Sequence, residues 1–302
     1  MNGTAQQISQ PAKSETAVAL VPGEHVYIYY LKGRADTYGI DLGPDFIGNW
    51  EEADCSFLFF TAPAEKTVRN FISARPGITL ADIFDMPYRE WQPMDGLPLN
   101  AGGFVIYPPW EPRPSSVEGS PLILDPGLVF GSGFHDTTND CLEALSLICY
   151  NQKDIKTALD IGTGSGVLAI AAALSGIDRV VGVDINSLAV QTARHNVLLN
   201  HVNDRVLIIK GSAREAAYRQ AELLMANIHY DIIDQLVDSS LFLKSRWYIL
   251  SGLLRTPADK IIKRLHNLSI DIIKVWNRNQ IWYTVLGRQG GLDNPLRYNQ
   301  LR

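Results

Sequence analysis

The run from Asp160 to Gly166 reads D-I-G-T-G-S-G and stands between an apolar strand-like segment and an apolar helix-like one that starts at Val167. Glycines so spaced let a backbone turn sharply after a strand and approach a ligand that a Cβ would exclude. The spacing narrows the ligand. A dinucleotide loop reads G-x-G-x-x-G, but here the third glycine comes one residue early, at Gly166, and Val167 occupies its place. Asp160 is also wrong for a pyrophosphate, which a carboxylate repels. It suits a ligand that ends in an ammonium group, such as the methionine part of S-adenosylmethionine. A side chain at Gly164 would occupy the space of that ligand's backbone. Downstream, G-V-D-I puts Asp184 near the ~20-residue offset at which an acid receives ribose hydroxyls in such folds. The plainer reading of Asp184 is a carboxylate at the start of the helix that begins near Ser187.

These residues need a scaffold, and the second half of the chain reads as one. Strand patterns fall at Thr157–Ile161, Arg179–Asp184, Arg205–Lys210, Glu222–Ile228, Trp247–Ser251, Asp271–Trp276 and Gln280–Leu286, with amphipathic helices between them. That alternation is the mark of an α/β fold with a mostly parallel sheet. Only Asn277, Arg278 and Asn279 separate the last two strands, too few for a parallel crossover, so the sheet ends in an antiparallel hairpin. Rossmann-like methyltransferases of class I have this seven-stranded plan.

Upstream, Tyr107 to Pro121 is dense in proline, which helices and central strands exclude. The expected division is therefore a tail over 1–16, a small α+β domain over 17–106, a linker over 107–121, the catalytic domain over 122–288 and a second tail over 289–302. In the small domain Glu24–Leu31 and Cys55–Thr61 carry strand residues and Ala64–Ala74 fits a helix, while 33–50 follows no pattern.

Composition limits the partners. Among 302 residues the net charge is -5, which argues against direct binding to a nucleic-acid backbone and favours a basic protein partner. Asp45, Glu51, Glu52 and Asp54 could meet such a partner, or form an ordinary solvated face. No stretch is apolar for the ~20 residues that a membrane span needs, and the leading residues lack a signal-peptide core, so a cytoplasmic location is expected. Cys55, Cys141 and Cys149 form no CxxC pair and read as free thiols, with no metal site expected.

Further segments carry a resemblance. L-D-P-G-L-V-F-G-S-G-F-H-D-T-T from Leu124 to Thr138, A-N-I from Ala226 to Ile228, and Y-P-P-W from Tyr107 to Trp110 with the earlier Trp91 are similar to the ribosomal protein L11 methyltransferase family over about residues 88 to 288. The resemblance implies a protein N-methyltransferase that uses S-adenosylmethionine, with L11 as substrate and a small domain that selects it. It also places Thr138, Gly162, Asp184 and Asn227 on cofactor-binding positions. In physical terms, Gly131 and Gly133 among Phe130 and Phe134 make a loop able to close over a cofactor, and Thr137 and Thr138 open the next helix, where either could cap it.

Asn227 ends the fourth strand at the carboxyl edge, where open α/β sheets bind ligands. Methyl transfer needs a neutral amine lone pair in line with the methyl group, so an uncharged acceptor that orients N–H bonds is the fitting catalytic group. The sequence departs from the family pattern at Ser132, at Ser212 after Gly211, and at His229 and Tyr230, where His229 reads as a solvent-exposed helix start. The other readings are a methyltransferase for another protein lysine or a small amine, a nicotinamide-dependent oxidoreductase, disfavoured by the glycine spacing and Asp160, and a non-catalytic binding module.

Overall fold

The computed structural model describes residues 24–37, 39–52, 54–91, 98–113, 118–129, 135–216, 220–239 and 242–291. The loop expected from Phe130 to Phe134 lies outside the described residues, as do the leading tail and nearly all of the trailing one.

The first sheet is built around β1 (His25–Lys32), whose V-Y-I-Y-Y-L core is apolar or aromatic at every position. Such a strand must be covered on both faces. It pairs antiparallel with β3 (Cys55–Phe60) and β4 (Thr79–Pro87), and β2 (Phe46–Glu51) adds to β3, giving the order β2-β3-β1-β4. One face packs Tyr29, Leu31, Leu58 and Phe60 under Val68 and Phe71 of helix α1 (Glu65–Ser73). The other packs Val26, Ile28 and Phe59 with Tyr88 of the short helix α2 (Tyr88–Trp91) against residues of the second half of the chain. Strand β4 was not legible because it is a sheet edge, exposed along most of its length, and so shows no alternation.

Beyond it, β5 (Leu99–Ala101) and β6 (Phe104–Tyr107) form a hairpin turned by Gly102 and Gly103, both at positive φ. Strand β6 then pairs in parallel with β7 (Ser120–Ile123). A single ladder thus spans the proline-rich segment expected to divide two domains, and Pro121 is accommodated in it because β7 is an edge. Phe104, Ile106 and Leu122 belong to the same core as the helices of the large sheet.

The large sheet has the order β10-β9-β8-β11-β12-β14-β13. Its strands are β8 (Thr157–Ile161), β9 (Arg179–Asp184), β10 (Val206–Lys210), β11 (Leu223–Asn227), β12 (Trp247–Leu254), β13 (Ile270–Arg278) and β14 (Trp282–Gln289). Strands β8 to β12 are parallel and β14 runs against both neighbours, so the mostly parallel sheet with a terminal antiparallel hairpin is as the pattern required. The hairpin turn sits two residues later than its composition suggested, at Asn279 and Gln280, both with left-handed φ. Helices α3 (Asp136–Asn151), α4 (Val167–Leu174), α5 (Ser187–Leu199), α6 (Ala213–Ala216), α7 (Tyr230–Val237) and α8 (Arg255–Asn267) cover the faces. The two faces are separate cores, Leu168, Ile170 and Ile249 lying in one and Leu224, Leu250 and Ile261 in the other.

Cys55, Cys141 and Cys149 are buried and free. No helix among the described residues is long and apolar enough to cross a membrane.

Candidate active site

The loop between β8 and α4 is shaped by its glycines. Gly162 and Gly164 have φ of 73° and 55°, a region that costs an L-residue about 1–2 kcal/mol. A Cβ on Gly162 would lie 2.1 Å from Cγ2 of Ile228, the residue after Asn227. This close approach brings the loop to the end of β11, and the Gly162 and Thr163 N–H groups tie it to β9 by donating to the Val183 carbonyl at 2.8 and 3.0 Å.

Asp160 lies beneath the loop at 1% exposure. Its Oδ2 accepts from the Thr163 hydroxyl at 2.6 Å. Burial pushes its carboxyl up to about 7, against the stabilising Thr163 hydroxyl and Ala169 N–H. Asp184 ends β9 and accepts the Gly164 N–H at 3.0 Å and the Asn186 N–H at 2.9 Å. Burial raises its carboxyl as well, with the Asn186, Gly164 and Ile185 N–H groups opposing. The α5 cap is Asn186, whose Oδ1 accepts from the Leu188 and Ala189 N–H groups at 2.8 and 3.3 Å, so the capping role weighed for Asp184 falls to its neighbour.

On the opposite side, the Asn227 amide donates to the Thr138 hydroxyl at 3.4 Å across 89 positions of sequence. Thr138 is buried, and neither threonine is the α3 cap. That role belongs to His135, whose Nδ1 lies 2.7 Å from the Thr137 hydroxyl and accepts the Thr137 N–H at 3.3 Å. The His135 ring meets Trp282 edge-on, with centroids 5.2 Å apart. Trp282 was invisible from spacing, because only the pairing of Leu254 with Trp282 carries the hairpin past the end of β11 and up to α3. His229 opens α7, is 79% exposed and lies 3.3 Å from Asp231, which makes it a surface group. Ser212, one of the departures from the family pattern, donates its N–H and hydroxyl to Glu215 at 2.7 and 2.8 Å, so a carboxylate lies beside it.

One end of the sheet therefore carries a tight glycine loop flanked by Asp184, and beside it a neutral hydrogen-bonding pair, Asn227 with Thr138. The small sheet packs against the start of α5 beside this end. The Asn186 amide donates to the Asn49 carbonyl of β2 at 3.2 Å, and Leu188 and Ala189 pack with Ile28 and Phe59. Tyr88 donates to the Gly127 carbonyl at 2.9 Å.

A ribosomal protein L11 methyltransferase from Caldicellulosiruptor saccharolyticus is 37% identical over 203 residues, covering 64% of this chain and 62% of the relative. Its counterpart from Staphylococcus haemolyticus is 32% identical over 189 residues, covering 62% and 59%. The chain thus spans about three-fifths of the length of the curated relatives it matches. The crystal structure of a ribosomal protein L11 methylase from Lactobacillus delbrueckii subsp. bulgaricus aligns with a TM-score of 0.54 at 29% identity, covering 62% of this chain and 95% of that one. The sequence model of the ribosomal protein L11 methyltransferase (PrmA) family matches residues 84–290, from the end of β4 to the end of β14, and by that match the chain belongs to this family.

Proposed function

We propose that this protein transfers a methyl group from S-adenosylmethionine to an amino group of a protein, and that ribosomal protein L11 is its substrate. The observation that carries the reading is the pair Asn227 and Thr138 at the carboxyl edge of the sheet, next to the glycine loop. The residues fit the cofactor. Gly162 and Gly164 allow close approach, Asp184 keeps lone pairs for ribose hydroxyls, and no Lys or Arg lies in the loop to favour a phosphate. Asp160, held under the loop, suits an ammonium group, whose positive charge would favour the ionised carboxylate against its burial. The cofactor brings the electrophilic methyl group. The protein's part is to hold the acceptor nitrogen neutral and in line, and the Asn227 side-chain carbonyl is the group that can accept an N–H bond from it. The small sheet serves as the recognition surface for a basic substrate. Such work belongs in the cytoplasm, where ribosomal proteins are made.

A second reading is favoured by one observation. The family match starts at residue 84, so β1, β2 and β3 lie outside it, and a different protein amine can be the substrate with the same catalytic half. Incubation of the full chain with radiolabelled S-adenosylmethionine and purified L11, beside a cell extract, separates these readings. Label on L11 supports the first, and label on another protein alone supports the second. No label with no binding of S-adenosylhomocysteine would overturn both, and tight NADH binding in its place would revive the oxidoreductase reading.

A further inference from the structure

We propose that Asp140 is a positioning residue, which locks the β13–β14 hairpin to the helix that carries Thr138 and so holds the acceptor side of the site in one arrangement. The catalytic consequence rests on the protein-amine reading above, but the geometry does not.

Asp140 lies two residues after Thr138 and its side chain is fully buried. Its Oδ1 accepts from Arg278 Nε at 2.7 Å, and its Oδ2 accepts from the Thr284 hydroxyl at 3.4 Å. Thr284 in turn lies 2.5 Å from the Ser251 hydroxyl, and Ser251 is the ladder partner of Asn227. Since the Asn227 amide returns to Thr138, a closed circuit runs from α3 through the hairpin, β12 and β11 back to α3. A second tie lies one helical turn along α3. Glu143 accepts from the other arm of Arg278 at 3.0 Å and from the Trp276 indole at 2.6 Å.

The circuit passes through an irregularity in β12. The register shifts between Leu250 and Leu253, and Gly252 has φ +78°. A Cβ there would lie 2.7 Å from the Ile228 carbonyl oxygen, so the bulge presses on the residue after Asn227. Bulges of this kind re-aim side chains beside active sites. Arg278 is also the ladder partner of Trp282, the residue whose ring meets His135. Arg278 thus ties α3, through its guanidinium, to the strand pair that carries the Trp282 ring.

Stability alone does not account for a carboxylate in this place. Removing the Asp140 carboxylate from water costs about as much as its attraction to the part-exposed Arg278 guanidinium returns, and a well-packed apolar pair would hold the fold as firmly. What an apolar pair lacks is direction. It would let helix and hairpin slide past each other, whereas Asp140, with Arg278 on one oxygen and Thr284 on the other, admits one register.

Asp140→Asn keeps the volume and removes the charge, and Thr284→Val cuts the circuit on its other side. In both, affinity for S-adenosylhomocysteine should stay within about threefold of wild type, while single-turnover methylation of purified L11 should fall about tenfold or more. The Trp282 indole resonance in a 15N spectrum, identified by its loss in Trp282→Phe, should shift in both. A lower melting temperature with the rate per folded molecule and the Trp282 signal unchanged would show a purely structural role and overturn the proposal. Should the wild type transfer nothing to L11, the substrate reading fails by itself. The Trp282 resonance then decides alone: a shift in either variant supports the positioning role, and an unmoved signal in both sinks it.

Discussion

On the loop side of the site, Asp160, Gly162, Gly164, Asp184 and Asn186 lie between β8 and the start of α5 and are joined largely through backbone N–H groups. On the strand-end side, Thr138, Asn227, Ser251, Arg278 and Trp282 come from separate elements and meet through side chains. The first is a local device whose shape follows from backbone dihedrals. The second exists only when α3 and the terminal hairpin are packed. Damage to the first should therefore need a change of backbone or of the one essential carboxylate, while the second should feel side-chain changes far from it in sequence.

The largest effect should follow from breaking the local side. Gly164→Val forces a β-branched residue to a φ of 55° and fills the loop, so binding of S-adenosylhomocysteine should weaken by more than about 100-fold, as read by titration calorimetry. A variant that still bound normally would remove the glycine argument. Next, Asn227→Ala should depress single-turnover methylation by about 100-fold with cofactor affinity changed only a few-fold, because its task is to orient the acceptor. Equal losses in the two quantities would move Asn227 to the cofactor side and blur the contrast. Asp184→Ala should cost about 2 kcal/mol of cofactor affinity, the worth of hydrogen bonds to a charged group. An unchanged dissociation constant would end the ribose assignment.

The smallest effect sharpens the comparison through pH. The Asp160 carboxyl titrates at about 7 in the fold, above its unfolded value, because burial disfavours the charge. The native state thus binds the proton more tightly than the unfolded chain does. Its contribution to stability is complete below the unfolded pKa and is lost as pH rises through about 7. Between pH 6 and 8 the wild type should lose about 1 kcal/mol relative to Asp160→Asn, measured by urea unfolding. Parallel curves for the two proteins would mean that Asp160 is ionised throughout.

The same contrast explains what could be read from the chain alone. The succession of strands along the chain, the glycine turn after β8 and the position of Asp184 at the end of β9 follow from local spacing. Asn227 was placed by its strand end and by the family pattern. His135 as the α3 cap, Trp282 against it, and Asp140 with Arg278 belong to pairings between elements, 138 positions apart in the last case, and no periodicity encodes those. In the small sheet the edge strand β4 lacked alternation, and β6 and β7 lay on either side of prolines that suggested a break.

The cover that β1 and β3 give to Leu188, Ala189, Leu128 and Val129 has a consequence for modularity. A catalytic half cut free near Ser115 would uncover this apolar strip at the start of α5, and exposed strips of that kind promote self-association. The two sheets are therefore not interchangeable cassettes. Any other recognition domain grafted onto this catalytic sheet must bring its own apolar face for α5 and its own acceptor for the Asn186 amide, so a change of client protein is easier on the outer edge of the small sheet than by exchange of the whole domain.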